Sequence, residues 1–182
     1  MDKYWKKLNT HREYKDKVLS VDHCEYYFDK KNASMNFTII NTSNWVTIIP
    51  VTSDNKFILV KQFRVGTEET TYEFPGGAIN ENESHKEAAL RELREETGLA
   101  AGNIELLSVV HPNPAFMSNR AYIYLAEECS FKYELQLDLF EDIEVVSLSR
   151  QELEDYIVSG KITHSIVLAA YSHFLLKEKN QG

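Results

Sequence analysis

The chain has 182 residues, 43% of them hydrophobic and 12% aromatic, enough to bury one sizeable core as one structural unit. Its formal charge of −8, with no long basic stripe to offset it, argues against a protein that binds long nucleic acid by neutralising the backbone. Cys24 and Cys129 lack CxxC spacing, the first 17 residues lack a signal-peptide core, and no apolar run nears the roughly 18 residues of a membrane span, so a soluble cytoplasmic protein with reduced thiols is expected.

Residues 1–17 set Lys3, Lys6, Lys7, Arg12, Lys15 and Lys17 against Asp2, Glu13 and Asp16, with Tyr4 and Trp5 among them. Such an arm has two readings: Trp5 stacks on a nucleotide, or the segment packs down with a solvated charged side. Residues 18–28 and 35–40 read as strands around the polar turn 29–32, a hairpin ahead of the main sheet. Residues 1–42 therefore form an N-terminal extension and 43–182 the main domain. The apolar, β-branched runs 45–51 and 57–60 flank Ser53-Asp54-Asn55 and predict central strands. Lys61-Gln62-Phe63-Arg64 leaves the second strand, and Tyr72-Glu73-Phe74-Pro75-Gly76-Gly77 leads through a tight turn into a helix.

The spacing predicts that helix over 83–97. Ser84 with Glu87 is a capping-box signature, Ala88, Ala89, Leu90 and Leu93 make an apolar stripe, and Gly98 is a stop. At about 100° per residue, Glu92, Glu95 and Glu96 share one arc while Leu90 and Leu93 face a core. Unpaired like charges at this spacing destabilise a helix, so a bound hard cation such as Mg²⁺ or Mn²⁺ is one reading of the cluster. Mg²⁺ is commonly held by one or two carboxylates together with substrate phosphates, which points to phosphate chemistry. The other reading is a solvated acidic face.

Residues 104–110 predict a strand. The following loop, 111–119, holds two prolines and offers Asn113, Phe116 and Asn119 either as ligand contacts or as a mere connector. Residues 122–126 and 143–148 are further strands, with Glu141 and Asp142 ending the acidic loop between them. Ser149 with Glu152 caps a second helix to about residue 159, and 163–177 forms a third with Ile166, Val167, Ala170, Phe174 and Leu175 inward. None of the histidines shows ligand spacing, and none is assigned a role.

Gly77, five residues, Glu83, seven residues, Arg91-Glu92-Leu93, one residue, Glu95-Glu96, one residue and Gly98-Leu99 resembles the Nudix box at every specified position. A chance match is on the order of one in a million. The resemblance implies an α/β fold, a Nudix α/β/α sandwich with a mixed central sheet, here with an N-terminal antiparallel strand extension. It makes Glu92, Glu95 and Glu96 metal ligands, adds the Gly76 carbonyl, and pairs Glu83 with Arg91 to fix the helix. The QFR segment with the Glu-Phe-Pro-Gly-Gly approach resembles the ADP-ribose pyrophosphatase and nucleoside-diphosphate-sugar hydrolase branch. In that branch Arg64 contacts a phosphate, Glu73 belongs to the substrate site, and the loop before the last core strand supplies a carboxylate; the other readings are a surface salt bridge for Arg64 and a solvent-facing strand residue for Glu73. Glu141, with Asp138 as the fallback, matches that carboxylate as base or metal ligand. The branch also implies a homodimer built through the extension, in which Trp5 or Tyr26 reaches a neighbouring site. The expected reaction is metal-dependent hydrolysis of the pyrophosphate of a nucleotide sugar. A dinucleoside-polyphosphate or nucleoside-triphosphate hydrolase, or a non-catalytic nucleotide-binding regulator, is the alternative.

Overall fold

Period-two alternation divides the apolar residues of the central strands between two faces, and each face has its own cover. In β4 (Trp45–Thr52) Val46 and Ile48 point to one side and Ile49 to the other; in β5 (Phe57–Arg64) Ile58 is set against Phe57 and Leu59. The structure, a computed structural model, describes residues 2–181. One face carries the helix α1 (His85–Thr97), packed through Ala88, Ala89 and Leu93. The other carries α2 (Arg150–Val158) and α3 (Ser165–Gln181), packed through Leu153, Val167, Ala170, Tyr171 and Phe174. The result is the α/β/α sandwich.

The sheet between them is mixed. It adds β6 (Glu69–Glu73), β7 (Leu99–Ala100), β8 (Asn103–Val110), β9 (Ala121–Phe131) and β10 (Ile143–Leu148), with path β10-β5-β4-β9-β7. β6 pairs with β5 and β8 with β9. β4 and β9 run parallel, from Trp45 opposite Ala121 onward, and the other pairs are antiparallel.

Contacts divide the chain into two compact units, with Trp45–Val110 and Ala121 onward forming the sandwich. The other unit holds the chain up to Asn44 and the segment His111–Arg120. Its sheet is β1 (Trp5–Lys15), β2 (Leu19–Phe28) and β3 (Ala33–Thr42), antiparallel in that order. The segment after β8 is tied to the end of β3: Ile40 N–H donates to the Phe116 carbonyl at 2.7 Å, and Ser118 N–H to the Ile40 carbonyl at 3.1 Å. Trp5 stacks on Phe28 at 4.4 Å between ring centroids, with Tyr26 and Phe37 edge-on to it.

Three sequence expectations need correction. The N-terminal arm is a full strand, β1, whose residues after Trp5 are all exposed. The Gln62-Phe63-Arg64 segment stays in β5 and pairs with β6. Leu90 does not face the core and is 40% exposed, because it lies about 100° from the centre of the buried arc. Glu96 lies near that centre, among Ala88, Ala89, Leu93 and Thr97, and is buried. The glutamates thus overlap the inward side of α1. No helix among the described residues is long and apolar enough to cross a membrane, and both cysteines are free.

Candidate active site

Helix α1 is fixed at both ends by its own sequence. Ser84 and Glu87 form the reciprocal capping box, and Gly98 closes the helix in the left-handed region at φ 70°. The turn before it lies against β4: Val46 N–H donates to the Gly77 carbonyl and Ile48 N–H to the Pro75 carbonyl, both at 2.9 Å. Glycine is required at 76, where a Cβ would collide with the Val46 carbonyl, part of the backbone; at Gly77 a Cβ would meet only the Glu92 carboxylate, the movable end of a side chain. The close approach lets Gly76 N–H reach Glu96 Oε2 at 2.9 Å.

That single amide does not offset the burial of Glu96. Loss of solvent, with the charges of Glu92 and Glu141 added, pushes its carboxyl up to about 8 although the Gly76 N–H favours the anion. Burial also raises Glu92, against the guanidinium of Arg91. Arg91 is the hub of this side. It is bidentate to Glu83 at 2.8 and 3.0 Å, reaches Glu92 at 2.7 Å and Glu95 at 3.2 Å, and donates to the Ala78 carbonyl at 3.1 Å. It thereby ties the loop before α1 to the helix.

Oxygen donors of this number and charge suit a hard divalent cation: Glu92, Glu95 and Glu96, with the Gly76 peptide alongside and Glu141 in electrostatic reach. In the arrangement seen, Glu92 and Glu95 are turned onto Arg91 and Glu96 onto the Gly76 amide. Among the described residues no three acidic, histidine or cysteine side chains converge as a ligand group. Glu141 sits in an exposed turn, its carboxylate accepting from Asp138 N–H at 2.9 Å.

Beside the start of α3 a cavity of about 570 Å³, a size suited to a small ligand, is lined by Trp45, Thr47, Arg64, Glu73, Gly76 and His164 among others. Glu73, 3% exposed, is bidentate to Arg64 at 2.8 and 2.7 Å and accepts from Thr71 Oγ1 at 2.5 Å. Burial opposes the charge, but Arg64 and Thr71 hold the Glu73 carboxyl below its usual range. Arg64, half-exposed, is raised by Glu73 first and also by Glu96 and Glu141, so it stands within the field of the acidic helix.

Arg64, Glu73 and Gly76 are therefore brought to one cavity, and Glu92, Glu95, Glu96 and Arg91 to one helix face. Trp5, Asn113, Phe116 and Asn119 belong to the other compact unit. There Asn119 is buried with neither side-chain polar atom bonded. Sequence reasoning misses Thr71 and His164. Thr71 alternates with Glu73 on one face of β6, a signal hidden because β6 itself is not predicted. His164 carries no spacing signal, being assembled by topology alone.

Carboxylates that repel one another beside a fixed guanidinium are the equipment of an enzyme that acts on anions with the help of cations. A family model described as NUDIX domain matches residues 43–166, and the chain belongs to the Nudix family. It is similar to an ADP-ribose pyrophosphatase of Bacillus subtilis (strain 168), 32% identical over 145 residues, which cover 79% of this chain and 78% of that protein. It is also similar to a methanol dehydrogenase activator of Bacillus methanolicus, 30% identical over 141 residues that cover 77% and 76% of the two. A crystal structure of an ADP compounds hydrolase superposes with a TM-score of 0.85 at 25% identity, covering 99% of this chain and 97% of that one. The chain is thus a Nudix hydrolase beside the ADP-ribose pyrophosphatase branch, and enzymes of this family generally use divalent metal ions.

Proposed function

We propose that the chain hydrolyses the pyrophosphate bond of ADP-ribose and related nucleoside diphosphate sugars, such as GDP-mannose, to a nucleoside monophosphate and a sugar phosphate. The observation that carries this is the juxtaposition of two charge systems: Arg64, fixed by buried Glu73, lies in the field of Glu96 and Glu141. Names of relatives support the substrate class. One fixed arginine suits a short two-phosphate chain, whereas a longer polyphosphate would call for more cationic groups than the cavity lining supplies.

Glu92, Glu95 and Glu96, with the Gly76 carbonyl and Glu141, would hold Mg²⁺ or Mn²⁺, and a bound divalent ion supplies Lewis-acid polarisation and an activated water. Arg64 binds and orients a phosphate, with Glu73 and Thr71 fixing its guanidinium plane. Arg91 holds α1 to the preceding loop and leaves the carboxylates when they are needed elsewhere. Glu141 takes the proton of the attacking water or serves as a further ligand. Asn113, Phe116 and Asn119, with Trp5 from a second subunit, complete the substrate site in a cytoplasmic homodimer.

The test is kcat/KM for ADP-ribose, GDP-mannose, UDP-glucose, diadenosine tetraphosphate and dGTP at saturating Mg²⁺. Sugar nucleotides should lead; a tenfold preference for either of the last two would leave only the family and the fold. Light scattering that gives a fully active 21.1 kDa particle would remove the dimer.

A further inference from the structure

His164 precedes α3 and plays two parts. Its Nδ1 accepts the Ile166 N–H at 3.3 Å, so the ring caps the helix and, when neutral, must carry its proton on Nε2. Nε2 lies 3.8 Å from Glu73 Oε2, beyond direct hydrogen-bonding distance, and the imidazole lines the cavity beside Arg64. The two oxygens of Glu73 are unequally used. Oε1 accepts from both Arg64 and Thr71, whereas Oε2 accepts from Arg64 alone. An oriented N–H donor and an acceptor with a free lone pair thus face each other across the wall of the cavity.

We propose that His164 is a specificity-determining residue that, with Glu73, reads a sugar hydroxyl of the substrate. A hydroxyl can donate to Glu73 Oε2 while accepting from His164 Nε2–H, which fills both vacancies. An ionised phosphate oxygen can only accept, and beside the Glu73 carboxylate it meets like charge, so phosphate is left to Arg64. The pair favours a ligand that carries a sugar on its phosphates over one that is phosphate throughout. This inference deepens the function proposed above and rests on it for the identity of the ligand.

Two variants separate the cap from the donor. Asn in His164→Asn is a good helix cap but too short to place an N–H at the Nε2 position; Gln in His164→Gln is a poor cap whose amide reaches it. Expected for His164→Asn is an about five- to tenfold higher KM for ADP-ribose, with kcat within about twofold and an unchanged Tm. His164→Gln should keep KM near wild type while Tm falls by about 2–4 °C. The reverse pattern, a normal KM in His164→Asn with the KM defect in His164→Gln, would reduce His164 to a cap and overturn the proposal.

Calorimetric titrations of wild type and His164→Asn in EDTA, with ADP-ribose, ADP and pyrophosphate as probes, test the inference without turnover. Weaker binding of ADP-ribose alone assigns the hydroxyl to the distal sugar, and equal weakening of ADP assigns it to the nucleoside ribose. Equal weakening of pyrophosphate, or no binding of ADP-ribose by the wild type, overturns the inference. A wild type that binds ADP-ribose but cleaves no nucleotide sugar would overturn the proposed function alone.

Discussion

Glu96→Gln should make the metal-free protein more stable while it disables catalysis. Burial raises the Glu96 carboxyl from 4.5 to about 8, so between those values the native state keeps a proton that the unfolded chain has released. The unfolded state binds fewer protons there, and stability falls as pH climbs through this window, levelling off above it. The limiting loss is about 4–5 kcal/mol for a shift of this size. Carboxyls that are lowered in the fold, such as Glu73 and Asp22, contribute stability already complete above about pH 5.5, so they do not mask the trend. Gln is uncharged, and its amide oxygen can still accept from Gly76 N–H.

Even half the limiting value, about 2 kcal/mol, corresponds to about 4–8 °C in Tm for a chain of this length. The assay is thermal unfolding in EDTA from pH 5.5 to 9 for both proteins. The wild-type Tm should decline toward pH 8, Glu96→Gln should decline less, with the remaining slope left to the raised Glu92, and the gap should be largest at the alkaline end. Added Mg²⁺ should then raise the Tm of the wild type and not that of the variant. Equal slopes in EDTA would refute the argument that Glu96 is buried at the expense of its charge, and equal Mg²⁺ responses would remove it from the ligand set.

Glu73→Gln halves the bidentate grip on Arg64 and should raise KM for ADP-ribose about tenfold with a smaller change in kcat, read from steady-state kinetics. Arg91→Ala strands the largely buried Glu83 and Glu92 and should destabilise the protein by about 3–5 kcal/mol in urea unfolding; a loss under 1 kcal/mol would deny it the hub role. Glu141→Gln should lower kcat by about 10²–10⁴-fold at unchanged Tm if Glu141 takes the proton from water, and an unaltered pH–rate profile would exclude that. Leu93→Ala, at a 1% exposed position under α1, should cost about 2–5 kcal/mol in the same unfolding assay.

The helix that organises the site is legible because each of its signals is local. Ser84 and Glu87 set the start, Gly98 the end, and Ala88, Ala89 and Leu93 the packed face. β10 is read to the residue, and β4 within one, because their alternating apolar residues are squeezed between two helical layers. β1 and β6 escape for the opposite reason. In Trp5–Lys15 every residue after the tryptophan is exposed, so pairing with β2 rather than burial holds it extended and no period-two signal is written. Glu69–Glu73 reads as polar because its inward positions are Thr71 and Glu73, buried against Arg64 rather than against hydrocarbon.

The same trade explains what the site hides. A side chain chosen for the cavity is polar and inward, so pattern reasoning assigns it to the surface. Helix spacing leaves Glu96 open between a cation ligand and a solvated glutamate, and it does not tell that Gly76, twenty residues earlier, gives it a single amide inside the sandwich. Spacing can tell that three carboxylates lie on one arc, since a helix repeats every 3.6 residues. It cannot tell which part of the arc the sheet covers, because that depends on β4 meeting the Pro75–Gly77 turn so closely that no Cβ fits at Gly76. Burial is what turns the acidic arc from a solvated face into a site whose charge must be relieved by a proton or a cation, and it is set by Gly76 and the strand it meets rather than by the glutamates themselves.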